Sequence, residues 1–253
     1  MSNALFNTDT QALLADAMEA QIAAAGPDAR LDTGRDDELA SKIITDLRSA
    51  PVTPGPRPAA AQTPAVKAHL PGLLHQMPSS PLASALGPFM DALDWYQIFE
   101  GDDIPPRLAS GLMAAQIIGG RGPLKSGDLL FGMFLLAPHV TYPLHQHAAL
   151  EIYCVLSGAV SIRHGRAKPA MTIAPGGHSI TPPHQVHELR TGEEACLITY
   201  AWTGDMTGEN WWWEQSDDGQ WHRKCWRRQP DASWAQAGSE PLSDAELARA
   251  GDG

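Results

Sequence analysis

Apolar residues recur at helical spacing near the start of the chain. Leu13, Leu14, Met18 and Ile22 share one face, and Ile43, Ile44 and Leu47 repeat the pattern. This predicts helices between Leu5 and Ala50, with Asp9 or Thr10 capping the first and Asp36 the second. The pattern then breaks. Residues 51–72 are rich in Pro and Ala, and prolines fix φ and remove backbone donors, so an extended linker is expected there. A mixed stretch follows, with a short helix expected over Pro81–Leu93 and an aromatic group of Trp95, Tyr96 and Phe99.

From Asp128 the texture becomes that of strands. The candidates are Leu129–Leu136, Glu151–Ser157, Ala159–Arg163, Ala170–Ala174, His178–Thr181, Val186–Leu189 and Cys196–Trp202. Many short strands with Gly or Pro breaks between them predict a β-barrel or jelly roll. No internal repeat is visible, so one barrel is expected. The reading is a mainly β protein with a helical N-terminal extension over residues 1–126 and a barrel core over 127–205. An aromatic and basic C-terminal extension, 206–253, would pack on that barrel. Within it Trp211, Trp212 and Trp213 read as a packing clamp. Arg223, Lys224, Arg227 and Arg228 read as a solvated or salt-bridged face. Ser243 would cap a last helix running to Ala250.

Charge and cysteine content narrow the class. A formal net charge of -11 argues against a nucleic-acid surface and against binding to an anionic membrane. The three cysteines, Cys154, Cys196 and Cys225, form no CxxC pair. A disulfide framework is therefore not expected, and a cytoplasmic location is. No apolar run approaches the ~20 residues that span a bilayer. No basic segment opens the chain as a signal peptide would.

The chemistry concentrates in one stretch, His145-Gln-His147-Ala-Ala-Leu-Glu151-Ile-Tyr153-Cys-Val-Leu-Ser-Gly158. Positions two apart in a strand share a face, so His145 pairs with His147, and Glu151 with Tyr153. Cys154 should face away from them. Two imidazoles and a carboxylate converging from adjacent strands suit a mixed nitrogen and oxygen metal site. A second stretch, Gly176 to Pro182 to His187, would bring in a third imidazole. The histidines His139, His164, His178 and His184 read as loop or surface residues.

The joint pattern HxHxxxExxxxxxG and GxxxxxPxxxxH resembles the two motifs of the cupin superfamily, over roughly Leu129 to Trp202. That resemblance implies a β-barrel holding one divalent transition metal (Zn, Fe, Mn, Ni or Co) on His145, His147, Glu151 and His187. The chain departs from the motifs at His139 and His184, where Gly is usual, and at Thr191, where Asn is usual. These positions bear on loop shape, not on ligation. HxHxxxExY with a downstream His, behind a long helical extension, resembles the cupin-type dimethylsulfoniopropionate lyases. That family cleaves dimethylsulfoniopropionate to dimethyl sulfide and acrylate.

The resemblance implies a carbon–sulfur lyase working by β-elimination. The metal would bind the substrate carboxylate, and Tyr153 would abstract the α-proton. The leaving sulfonium is a cation without donors, which an aromatic wall attracts. Tyr142, Tyr200, Trp202, Trp95 and Tyr96 are the candidates for that wall. The same ligand set also serves an Fe(II) cupin dioxygenase or a non-catalytic binding or sensor module, and the residues alone leave both open. The expected partner is a small carboxylate bearing a sulfonium group, not nucleic acid or membrane. Pairing into a homodimer stays open.

Overall fold

The computed structural model describes residues 6–26, 30–31, 34–56, 59–229 and 234–251. Leu5, the expected start of the helical region, and Arg57 and Pro58 of the linker lie outside the described residues. Helix α1, Thr8–Ala24, is opened by Asn7 instead of Asp9 or Thr10. The Asn7 side chain accepts from the Thr10 N–H at 3.1 Å, and the Thr10 hydroxyl accepts from the Asn7 N–H. This reciprocal pair satisfies donors that the first turn leaves free. After the short strand β1, Arg30–Leu31, comes α2, Asp36–Ser49, whose N-cap is Arg35 and not Asp36. Its acidic first turn, Asp36, Asp37 and Glu38, complements the helix dipole.

The expected linker holds a helix. Following β2, Thr53–Pro54, helix α3 runs over Pro64–Gln76. Thr63 caps it, and Pro64 takes a first-turn position where its missing N–H costs nothing. The buried face of Val66, Leu70 and Leu73 secures the helix although Pro71 lies within it. The helix expected over Pro81–Leu93 is α4, Pro81–Leu86, continued by a 3₁₀ turn to Ala92.

The remaining elements are β3 (Trp95–Gln97), α5 (Pro106–Gly111), β4 (Leu112–Ile118), β5 (Leu124–Lys125), β6 (Leu129–Leu136) and β7 (Thr141–Gln146). Then come β8 (Ala149–Ser157), β9 (Val160–His164), β10 (Met171–Ile173), β11 (His178–Thr181), β12 (His187–Arg190) and β13 (Cys196–Gly204). The chain ends with β14 (Asn210–Gln215), β15 (Trp221–Arg228), β16 (Trp234–Pro241) and α6 (Asp244–Gly251), which Ser243 caps. Each of the seven strands read from the sequence is present.

The strands form two sheets. One has the order β1-β11-β8-β13-β6-β4-β5-β2, with β3 on β4. The other has the order β10-β9-β12-β7-β14-β15-β16. The sheets therefore reach beyond residues 127–205. Strand β4 lies inside the stretch expected to be helical, and it pairs with β6 along most of its length. The C-terminal segment continues the second sheet, because β14 pairs with β7 through Trp212 and His145.

Two cores follow from strand alternation. On β8, Leu150, Ile152, Cys154 and Leu156 face the helices α1–α4, while Tyr153 and Val155 face the space between the sheets. Both faces of β8 are covered, so it reads as a nearly unbroken apolar run. Cys154 turns away from Tyr153 as expected. All three cysteines are buried and unpaired. The basic run of β15 is salt-bridged. Arg223 pairs with Glu240, Lys224 with Glu214 and Arg227 with Glu209. Among the described residues no helix is long and apolar enough to cross a membrane.

Candidate metal centre

Two strands and one turn bring the histidines together. His145 comes from β7, His147 from the turn after it, and His187 opens β12. His145 and His187 stand opposite each other in the ladder. The His184 N–H donates to the His147 carbonyl at 2.8 Å, which ties the two ligand-bearing loops together. One nitrogen of each ring lies within 4.8 Å of the others, and all three rings are buried.

Backbone carbonyls fix the tautomers. Nδ1 of His145 lies 2.7 Å from the Pro143 carbonyl, Nδ1 of His147 lies 3.1 Å from that of Ala149, and Nδ1 of His187 lies 3.0 Å from that of Gln185. A carbonyl only accepts, so each Nδ1 carries the hydrogen and each Nε2 presents a lone pair inward. Nε2 of His145 and of His187 are buried without a hydrogen-bond partner. Glu151 reaches into the same space from β8. Its Oε2 lies 3.1 Å from Nε2 of His147 and 3.2 Å from Nε2 of His187, the latter without hydrogen-bond geometry.

The electrostatics fit a cation. Burial, reinforced by the neighbouring rings His187 and His147, holds His145 well below the ordinary histidine range. Burial lowers His147 too, against the pull of Glu151. Burial alone would raise Glu151, but His147 and His187 outweigh it and keep the carboxyl well below the usual carboxylate range. Rings at His145 and His147 that burial keeps from charging, beside an ionised, fully buried carboxylate, leave a negative charge to be compensated. Three inward lone pairs and that carboxylate are a donor set that a divalent transition metal fits. The four residues named from the sequence lie together in the fold.

Around these groups lies an aromatic shell. Tyr142 stacks on His145 with 3.8 Å between ring centroids, and its hydroxyl accepts from Asn210 at 2.8 Å. Trp202 lies over His147 at 4.1 Å, and its indole N–H donates to Oε1 of Glu151. The Tyr153 hydroxyl is buried with no hydrogen-bond partner, and burial together with the Glu151 charge pushes its pKa well above the ordinary value. A cavity runs between the sheets, lined by Tyr142, Trp202, Tyr200 and Tyr96 among others. Trp95 is a correction. It neighbours Tyr96 on β3, so it points to the opposite face and is buried in the helix-side core.

Two expected surface histidines are also corrected. His178 is buried in β11. His164 Nε2 lies 3.2 Å from the Thr181 hydroxyl and 3.3 Å from that of Ser179, with its ring 6.3 Å from His187. His139 and His184 do occupy turns. They are the non-glycine residues with positive φ, 58° and 63°, among the described residues. Gly is the usual choice for that conformation, which explains why these two positions stand out in the motifs. Thr191 donates to the Ala137 carbonyl and accepts from the Val140 N–H, closing the loop that carries His139. Missed from the sequence were Phe99, Phe134, Trp234, Gln116, Asn210 and Arg228, which complete the cavity wall. All but Phe134 lie outside the Leu129–Trp202 stretch, and strand pairing brings them near it.

Two facing sheets around a His-His-Glu-His cluster define the class as a cupin. The match to solved structures agrees on the fold. The dimethylsulfoniopropionate lyase DddQ of Ruegeria pomeroyi DSS-3 aligns with a TM-score of 0.53 at 19% identity, covering 71% of this chain and 96% of that one. A structure from a study of the lyases RdDddP and RnDddQII aligns at 0.52 and 21% identity, covering 77% and 94%. The dimethylsulfoniopropionate lyase family model matches residues 37–198, and the chain belongs to that family. Among curated relatives, DddL of Cereibacter sphaeroides, described provisionally as a dimethylsulfoniopropionate lyase, is 34% identical over 125 residues, 49% of this chain and 51% of its own. The lyase DddQ of Ruegeria pomeroyi is 28% identical over 113 residues, 44% and 55%. The alignments thus span about half the length of these relatives.

Proposed function

We propose that the protein is a metal-dependent lyase that splits dimethylsulfoniopropionate into dimethyl sulfide and acrylate. The observation that carries this is the orphan Tyr153 hydroxyl, buried between the His145, His147, Glu151 and His187 cluster and Phe134 of the aromatic cavity wall. A bound divalent cation would supply Lewis acidity, drawing in the substrate carboxylate and offsetting the charge of Glu151, so that charge developing as the α-proton leaves is stabilised.

The chain's own groups supply the rest. The three Nε2 atoms and Glu151 would hold the cation. Burial and the Glu151 charge keep Tyr153 protonated until a bound dication offsets them, and its phenolate oxygen would then take the α-proton. As that C–H bond breaks, its electrons form the new double bond, and the C–S bond breaks with its pair staying on the sulfur of dimethyl sulfide. Tyr142 and Trp202 flank the cluster and offer π faces to the sulfonium, worth about 0.5–2 kcal/mol. Burial keeps water from the reacting carbon.

The test is the Tyr153→Phe variant, assayed by headspace dimethyl sulfide with metal loading confirmed. General-base catalysis contributes about 10²–10⁴-fold. We expect turnover to fall by that order while metal content is unchanged. Full activity in the variant would remove Tyr153 as the base.

A further inference from the structure

We propose that Arg228, together with the hydroxyls of Tyr96 and Tyr200, forms a subsite for a small carboxylate at the end of the cavity remote from the histidine cluster. Arg228 ends β15 and lines the cavity. Its neighbours on that strand, Arg223, Lys224 and Arg227, are each paired with a glutamate. Among the described residues Arg228 has no such ion pair, and no Asp or Glu lines the cavity. A half-buried guanidinium facing an aromatic chamber without an anion is suited to receive one from a ligand.

The surrounding polar groups are arranged for the same purpose. Gln116 is buried on β4, and its Oε1 accepts from the Arg121 N–H at 2.8 Å. That fixes the side chain, which lines the cavity together with Tyr96 and Tyr200. A tyrosine hydroxyl is able to donate to a carboxylate. The Arg121 guanidinium lies 3.8 Å over the Tyr96 ring and holds it in place.

This end is separate from the metal centre. Tyr96 on β3 lies four strands along the sheet from Glu151 on β8, while Tyr200 on β13, opposite Tyr153, stands between the two ends. Arg228 acts as a specificity residue. It receives the carboxylate of an entering substrate or a departing product, and it repels onium cations that carry no carboxylate. Only the identity of that carboxylate rests on the lyase reading.

The experiment titrates the full-length protein with propionate, metal-loaded and after chelation. Binding is followed by calorimetry and by fluorescence of Trp202 and Trp234, which line the cavity. In the chelated protein we expect saturable binding that falls at least about ten-fold in Arg228→Gln. Arg228→Lys should retain part of it, and uncharged propionamide should not bind. In the loaded enzyme Arg228→Gln should raise KM for dimethylsulfoniopropionate by a similar factor with kcat nearly unchanged. Propionate binding that is absent from the wild type, or equal in a folded Arg228→Gln variant, would overturn the subsite. Arg228-dependent binding without any lyase turnover would leave the subsite standing and sink the lyase reading instead.

Discussion

Replacing Trp202 with Phe keeps a ring over His147 and removes the one indole N–H that donates to Glu151. The structure sets the size of the effect. Glu151 is fully buried, and its Oε2 faces His147 and His187. The Trp202 N–H is what orients its other oxygen, Oε1. A hydrogen bond to a charged group contributes about 1.5–3 kcal/mol. At about 1.4 kcal/mol per decade that corresponds to roughly 10- to 150-fold in an equilibrium constant. Groups that orient metal ligands elsewhere alter affinity by about 10- to 100-fold when removed, so the two routes agree. The assay is competition for metal against a chromophoric chelator at fixed pH, wild type beside Trp202→Phe. We expect Kd to rise by about 10- to 100-fold with one metal per chain still bound at saturation. A Kd within about two-fold of wild type would show that Trp202 does not orient Glu151, and the geometric argument for the centre would fail there.

Two further outcomes follow from the same packing. Gly158 sits at φ +72°, and a Cβ added there would lie 2.1 Å from the Ala195 carbonyl oxygen. Gly158→Ala should cost about 2–4 kcal/mol by urea unfolding, and a loss below about 0.5 would contradict the contact. Burial lowers the His164 pKa to about 3, so the folded state keeps it neutral where the unfolded chain takes up a proton. Its contribution is present above the ordinary histidine pKa and is lost as pH falls from there toward 3, by at most about 1.4 kcal/mol per unit. The chelated protein should melt lower at pH 5 than at pH 7.5, and less steeply so in His164→Gln; equal slopes would refute the assignment.

The convergence of three histidines and a carboxylate was legible because its information is local. HxH and Glu-x-Tyr fall on consecutive segments, β7 with the turn after it and β8, and the Pro182-to-His187 spacing sets the third imidazole. The seven barrel strands were legible because Gly and Pro separate short apolar runs. Strand β4 was not, since both its faces are covered and LMAAQII carries no polar alternation to mark it. The helix at Pro64 was hidden by reading proline only as a breaker, although Thr63-Pro64 is a helix-start signal. On β15, WHRKCWRR looked like a basic patch because its partners Glu209, Glu214 and Glu240 lie on other segments. Trp95 was misplaced as a wall residue because its face depends on the register of β3 against β4. Arg228 joins the cavity from 75 residues beyond Tyr153, through pairing that no local pattern announces.

The central claim is that a metal held by His145, His147, Glu151 and His187 makes this chain a lyase. The direct measurement quantifies metal, dimethyl sulfide and acrylate together, in the purified protein, after chelation, and after metal is restored. The account predicts equal amounts of the two products from dimethylsulfoniopropionate, none after chelation, and recovery in step with metal up to one ion per chain. Protein carrying one metal per chain on intact ligands, yet releasing neither product, would contradict it.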